Sequence, residues 1–454
     1  MKKSRRRFLQ ELALKPFESG QEPEPEGTEA RPGTNARAHG YAKAPANANA
    51  HGYANARAHA NAHALVVVFL RGGADTLNML VPYGDDDYYR FRPSLAIQPQ
   101  AKAGKNGFLP LDSFFGLHPR LAPLLPIYRE GRLGFLPAVG SDNLSGSHFD
   151  AQDQMEHGVA WRSTASGGWL GRYLSLSGGH SLGPLAAVSL SPSLPESFRG
   201  APAASALSGV EEISIKAEGA PHLTGVLQEL YKACPEPELR EAGLNTLALL
   251  ARISELRKAE LAGPGDAALF PATSFGRGLF QIARLVKAGV GLNVACLDLD
   301  GWDTHFVQGS AEGLQAGIIA ELGQGLAAFD NCLGPLMKDV TVVVMTEFGR
   351  RVYENSSLGT DHGRGFTLMA MGGGIRGGQV HGQWPGLQED LDELRLANLA
   401  PTGLAVKVDY REPLLEILQG VMGAGAYGER IFPGFRPGFR SGFQQKSGIG
   451  LVQM

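Results

Sequence analysis

The stretch Val340-Thr-Val-Val-Val-Met-Thr-Glu-Phe-Gly-Arg-Arg-Val-Tyr-Glu-Asn-Ser-Ser-Leu-Gly-Thr-Asp-His-Gly363 decides the fold. Val340 to Met345 is a short, almost wholly β-branched and apolar run, the composition of a strand buried on both faces of a parallel sheet. The hydrophobicity then stops at once. Thr346, Glu347, Arg350, Arg351, Glu354, Asn355, Thr360, Asp361 and His362 crowd the following positions. In open α/β sheets ligands bind outside the carboxyl ends of the strands, and a mere connection would be shorter and richer in Gly, Pro and Ser. A carboxylate at a strand end, Glu347, followed by the Asp361–His362 pair, forms a metal or acid/base half-site. The competing reading is a Glu–Arg ion pair with an Asx-turn at Asp361.

Outward from this stretch, apolar strands alternate with helical patterns. Leu65–Leu70 reads as a strand leaving through Arg71-Gly-Gly-Ala-Asp75, where Asp75 is either a metal ligand or the cap of a turn. A short Pro-rich helix is expected over 119–131 and a strand over Leu133–Val139. Ser147 followed by Asp150 resembles a helix cap, with the helix running from His148. A hydroxyl at a helix N-terminus suits a nucleophile attacking a phosphate or sulfate ester; an ordinary cap explains Ser147 equally well. Helices are expected over 223–262, 274–287, 313–338 and 412–420, and strands over 185–190, 292–297 and 365–371. Asp303 and His305 follow one of these strands as a pair of metal ligands, or as an Asx-turn beside a surface histidine. The alternation predicts an α/β fold, doubly wound, with a mostly parallel sheet and helices on both faces.

Gly179-His-Ser-Leu-Gly183 spells a nucleophile elbow, but no strand precedes it and no helix follows, so it is rejected. Gly372-Gly-Gly-Ile-Arg-Gly377 likewise leads into no helix, which argues against a dinucleotide site. The net charge of −3 is spread along the chain, so no basic field points to nucleic acid. Cys234, Cys296 and Cys332 have neither disulfide-framework nor zinc-knuckle spacing. No apolar run approaches the length of a membrane span.

The N-terminal portion differs in kind. Ser4-Arg-Arg-Arg-Phe-Leu-Gln10 matches the twin-arginine export pattern, which predicts a periplasmic or extracytoplasmic protein. The apolar region that a working signal needs is missing, so a cytoplasmic location stands as the alternative. Residues 20–64 are low-complexity, with Asn35-Ala-Arg-Ala-His39 recurring as Asn55-Ala-Arg-Ala-His59. They are expected to be a disordered linker whose histidines, His63 included, are solvated. The expected organisation is thus 1–19 export-type segment, 20–64 linker and 65–454 a single α/β domain.

Six blocks carry a resemblance across Leu65 to Gly434: Leu70-Arg-Gly-Gly-Ala-Asp75, Ser147-His-Phe-Asp-Ala-Gln152, Gly168-Trp-Leu-Gly-Arg172, Gly301-Trp-Asp-Thr-His305, Thr346-Glu-Phe-Gly-Arg350 and Gly359-Thr-Asp-His-Gly363. The chain resembles the domain-of-unknown-function family 1501, twin-arginine-addressed bacterial proteins placed in the alkaline-phosphatase-like superfamily. That resemblance implies a two-metal esterase acting on a small-molecule or polymer ester. One ion would be held by Asp75, Ser147 and Glu347, with Phe348 standing where a second histidine is expected and His148 as its substitute. The other would be held by Asp303, His305 and His362, with Asp361 beside them. Mixed imidazole and carboxylate ligands favour zinc or manganese. Ser147 would be the nucleophile, and Arg350 or Arg351 would grip the ester oxygens. The sulfatase version lacks the C-x-P-x-R cassette. A non-catalytic envelope protein that binds an anionic polymer or a partner through a degenerate site is the second functional class.

Overall fold

β1 (Ala64–Leu70) has the sequence Ala-Leu-Val-Val-Val-Phe-Leu, and every residue in it is buried. Its alternate side chains enter two different cores: Ala64, Val66, Val68 and Leu70 one, Leu65, Val67 and Phe69 the other. That is why the run lacks polar alternation: both faces are covered. Burying one such side chain contributes roughly 1.5–3 kcal/mol relative to exposure. The computed structural model describes residues 63–178, 183, 185–207, 209, 220–258, 266–388, 403–437 and 449–453. The expected 1–19 and 20–64 segments, apart from His63 and Ala64, lie outside the described residues, as does the elbow-like 179–183 apart from Gly183. His63 departs from the solvated reading; it is half-buried, with Nε2 2.8 Å from Thr341 Oγ1.

Three short strands, β2 (Leu80–Val81), β3 (Leu109–Pro110) and β4 (Gly116–Leu117), form a small antiparallel sheet in the order β2-β4-β3. The main sheet adds β5 (Leu133–Gly140), β6 (Ala187–Ser189), β7 (Ser205–Ala206), β8 (Val294–Leu299), β9 (Val340–Thr346), β10 (Phe366–Gly372) and β11 (Val408–Asp409) to β1. Its order is β11-β5-β10-β9-β1-β8-β6-β7. All pairs are parallel except those made by β10, which runs against both β5 and β9. One core packs Ser274–Lys287 and Leu314–Leu333 on one face; the other packs Trp169–Ser177 and Arg411–Gly420 on the opposite face. The fold is therefore α/β with a mostly parallel sheet between helical layers. Among the described residues no helix is long and apolar enough to cross a membrane, and all three cysteines are free thiols.

Two expected helices are divided. The 223–262 region is two helices, Ala220–Ala233 and Pro237–Lys258. Pro235 offers no amide hydrogen and disfavours a helical Cys234, while Pro237 suits the first turn of the next helix. The 313–338 region is an α-helix over Leu314–Leu333 followed by a 3₁₀ turn, Gly334–Asp339, because Gly334 takes φ 52° and Pro335 follows.

The reversal of β10 sets up the site. A loop leaving a parallel strand ordinarily crosses over to the far edge before the next strand begins. Here residues 347–365 leave β9 and re-enter β10 at the same carboxyl edge. Residues that precede β10 therefore meet residues that follow β1 and β8.

Candidate metal centre

The turn after β1 lies against the loop after β8. Gly72 has φ 118°, and a Cβ there would sit 2.7 Å from the Asp303 amide nitrogen, so only glycine permits the approach. Arg350, 1% exposed, ties three strand ends together. Its Nε donates to Gly73 O at 2.5 Å, Nη1 to Thr360 O at 2.9 Å, and Nη2 to Gly72 O, to Trp302 O at 3.0 Å and to Asp303 Oδ1 at 2.7 Å. Every one of its donor nitrogens is thus engaged. Arg350 positions the site, each of its three nitrogens held by backbone carbonyls or by Asp303, where a role gripping ester oxygens was expected. Arg351 donates to Tyr353 Oη at 2.7 Å, and its charge acts on Asp361.

Around Asp303 Oδ1 three imidazoles converge. His148, Asp303 and His362 offer ligand atoms that all lie within 4.8 Å of one another. His305 Nε2 joins them at 3.0 Å from Asp303 Oδ1 and 2.9 Å from His362 Nε2. Each ring is fixed from behind by a group that only accepts. His148 Nδ1 is 2.8 Å from Glu347 Oε1, His305 Nδ1 is 3.0 Å from Asp361 Oδ1, and His362 Nδ1 is 2.7 Å from the Gly146 carbonyl. Contacts this short to acceptors place a hydrogen on every Nδ1. A neutral imidazole then carries its lone pair on Nε2, and all three Nε2 atoms face the same small volume. His148 Nε2 is buried without any hydrogen-bond partner, 3.4 Å from Asp303 Oδ1.

The charges follow from these contacts. Burial works to raise the Asp303 carboxyl, but the hydrogen bond and charge of Arg350 outweigh it and hold it well below the usual carboxylate range. Burial likewise opposes ionisation of Glu347, yet hydrogen bonds from His148 and Gln152 keep it below its ordinary value. Asp361 is lowered against burial by His305 and Asn355. The Glu347 hydrogen bond raises His148 against the effect of burial, whereas burial lowers His362.

Two expected ligands are used otherwise. Asp75 is completely buried and never reaches the cluster; Arg92 grips both its oxygens at 2.6 and 2.9 Å, and Gln308 Nε2 donates at 2.6 Å. Glu347, also completely buried, accepts from Gly72 N at 2.9 Å, His148 at 2.8 Å and Gln152 Nε2 at 2.8 Å on Oε1, and from Thr346 Oγ1 at 2.9 Å on Oε2. It orients a ligand instead of being one. Asp361 does the same for His305. Ser147 caps the helix His148–His157, its Oγ accepting from Asp150 N at 3.4 Å, and it stands in the chain between Gly146 and His148, both of which touch the cluster. Phe348 packs its ring 4.9 Å from those of His148 and His362. It forms a wall where a second histidine was expected.

Sequence reading missed Gln152, Arg92 and Gln308. For Gln152 a signal existed: it lies four residues after His148, on the same helix face, so both reach Glu347.

Residues 137–420 match the model of a family described as a protein of unknown function, DUF1501. The chain belongs to this family. In this DUF1501 member the matched span contains every residue of the cluster. No curated protein matches the sequence. Among solved structures, the PH0037 protein from Pyrococcus horikoshii is similar at 13% identity and TM-score 0.28, over 69% of this chain and 89% of that one. The PsFucS1 sulfatase from a Pseudoalteromonas species is similar at 11% identity and TM-score 0.30, over 77% of this chain and 72% of that one. Likeness at this level carries no argument about the cluster's chemistry.

Proposed function

We propose that His148, His305, His362 and Asp303 hold one divalent cation, zinc or manganese, and that the protein hydrolyses phosphate or sulfate esters there. One observation carries this reading: three Nε2 lone pairs and a carboxylate oxygen share one volume, with two of the nitrogens 2.9 Å apart. Lone pairs so close repel unless a proton or a cation lies among them, and His148 Nε2 has no other partner. Imidazole and carboxylate together suit zinc or manganese, and five- or six-fold coordination leaves a position for water or an ester oxygen. Bound there, the ion would polarise the ester and lower the pKa of the attacking oxygen.

The chain's own residues do the remainder. Glu347, Asp361 and Gly146 O orient the rings and fix their tautomers. Arg350 keeps Asp303 ionised and in place. Ser147 is the nucleophile in this reading, at a helix N-terminus whose dipole favours an anion. A second ion has no room in this reading, since the oxygens of Asp75 and Glu347 already accept hydrogen bonds.

Elemental analysis of the purified full chain, with assays on phosphate and sulfate esters, tests the proposal. One ion per chain with hydrolysis is expected. No bound metal after reconstitution with zinc and manganese would end it. One ion without hydrolysis would favour a protein that binds an anionic polymer.

A further inference from the structure

We infer that the ester taken at this centre carries an apolar organic group, which lies on a lip formed by Phe306, Val307 and Leu358. The inference rests on the metal-centre reading and adds the substrate class to it. Phe306, Val307 and Leu358 are 69%, 65% and 51% exposed, and Phe149, next in the chain to His148, is 86% exposed. Single exposed apolar residues are ordinary. What distinguishes these is their placement. The Phe306 ring lies 6.4 Å from the His305 ring. Gly359 runs so close behind that a Cβ on it would sit 2.3 Å from His305 O.

The two sides of the lip are clipped together. Val307 N donates to Ser357 O at 2.9 Å, Gln308 N to Leu358 O at 2.9 Å, and Asn355 Nδ2 to His305 O at 3.0 Å. Val307 and Leu358 have φ of 43° and 58°, two of the four non-glycine residues with positive φ among the described residues. Such a backbone is costly for a β-branched residue, and Asn or Gly would relieve it while making the surface more soluble. Strain of this kind collects at ligand clamps. Here it holds two apolar side chains in solvent, Val307 two residues after His305 and Leu358 four before His362. A purely polar substrate gains nothing from such a lip, whereas an alkyl or aryl ester buries it while its charged head meets the cluster.

In the net reaction a water oxygen bonds to phosphorus or sulfur, the bond from that atom to the organic oxygen breaks, and a water proton ends on the departing oxygen. The apolar group thus leaves as an alcohol or phenol.

The test is calorimetric binding of methylphosphonate and hexylphosphonate, which are not hydrolysed, to the metal-loaded full chain. Each methylene fully buried is worth about fourfold in affinity, so partial burial of five should make hexylphosphonate at least about tenfold tighter. The double variant Phe306→Ser, Leu358→Asn keeps a residue tolerant of positive φ. It should lose most of that preference while its methylphosphonate affinity and metal content stay unchanged. Equal affinities in the unaltered chain, binding of neither compound, or a preference that survives in the double variant would overturn the lip and leave the metal centre standing. A chain that takes no metal would remove the metal-centre reading, and this inference with it.

Discussion

Asp75 and Asp303 are two aspartates at the same edge of the same sheet, each a few residues beyond a buried strand, and they meet opposite fates. Asp75 is wholly buried, and Arg92 and Gln308 donate to both oxygens of its side chain. Gln308 in turn accepts from Thr304 Oγ1 at 3.0 Å and Thr360 Oγ1 at 2.6 Å, so this cluster braces the loops that carry His305 and His362. Asp303 keeps a half-exposed side chain, and three imidazole nitrogens face it. A carboxylate with both oxygens held by a buried guanidinium and an amide is a structural element. One with three imidazole nitrogens around it and a single guanidinium beside it has the arrangement that the proposed cation would complete.

Breaking the Asp75 side should unfold the protein. Arg92→Met leaves a buried carboxylate unpaired, at a cost of about 3–5 kcal/mol, read as a lowered denaturation midpoint. A midpoint change under about 1 kcal/mol would mean that water reaches Asp75 and that the contrast drawn here is too sharp.

The same buried side contains His118, whose pKa burial pushes down to about 4. The unfolded chain takes up its proton near pH 6.5, while the folded one resists until about pH 4. Stability is therefore complete above that window and falls as pH drops through it, by about 3 kcal/mol in all. Chemical denaturation of the parent and of His118→Gln across this range should show the loss in the parent and a flatter curve in the variant. Parallel curves would show that His118 is not held neutral.

On the Asp303 side the effects should appear in metal affinity more than in folding. Glu347→Gln removes the anion behind His148, and about 10- to 100-fold weaker metal binding is expected, measured by competition with a chelator. Unchanged affinity would reduce Glu347 to a packing role. His362→Ala should change the stability of the metal-free protein least of all, by under about 1 kcal/mol. It should nonetheless abolish stoichiometric metal binding and any esterase activity. A large fall in melting temperature with metal content intact would reverse the assignment.

Much of this was legible along the chain. The apolar runs at 65–70 and 340–345 announce strands, the second covered on both faces, because continuous burial removes the need for polar alternation. Ser147 with Asp150 marks a helix start, and the helix begins there. The clustering of Asp, Glu and His after strand ends follows from where a sheet leaves its edge open, and the loops it singled out are those that carry His148, Asp303, His305 and His362. What no local pattern holds is the partner of each polar group. Asp75 and Asp303 are identical in chemistry and similar in setting; only the folded chain puts Arg92 against one and three histidines around the other. The direction of β10 is equally silent in sequence, since an apolar run reads the same in either sense, yet that direction delivers His362 to the carboxyl edge. Hydrophobic periodicity and capping are short-range and were fixed by the sequence itself. Ligand or brace is decided by contacts between residues up to hundreds of positions apart, and only the tertiary structure decides it.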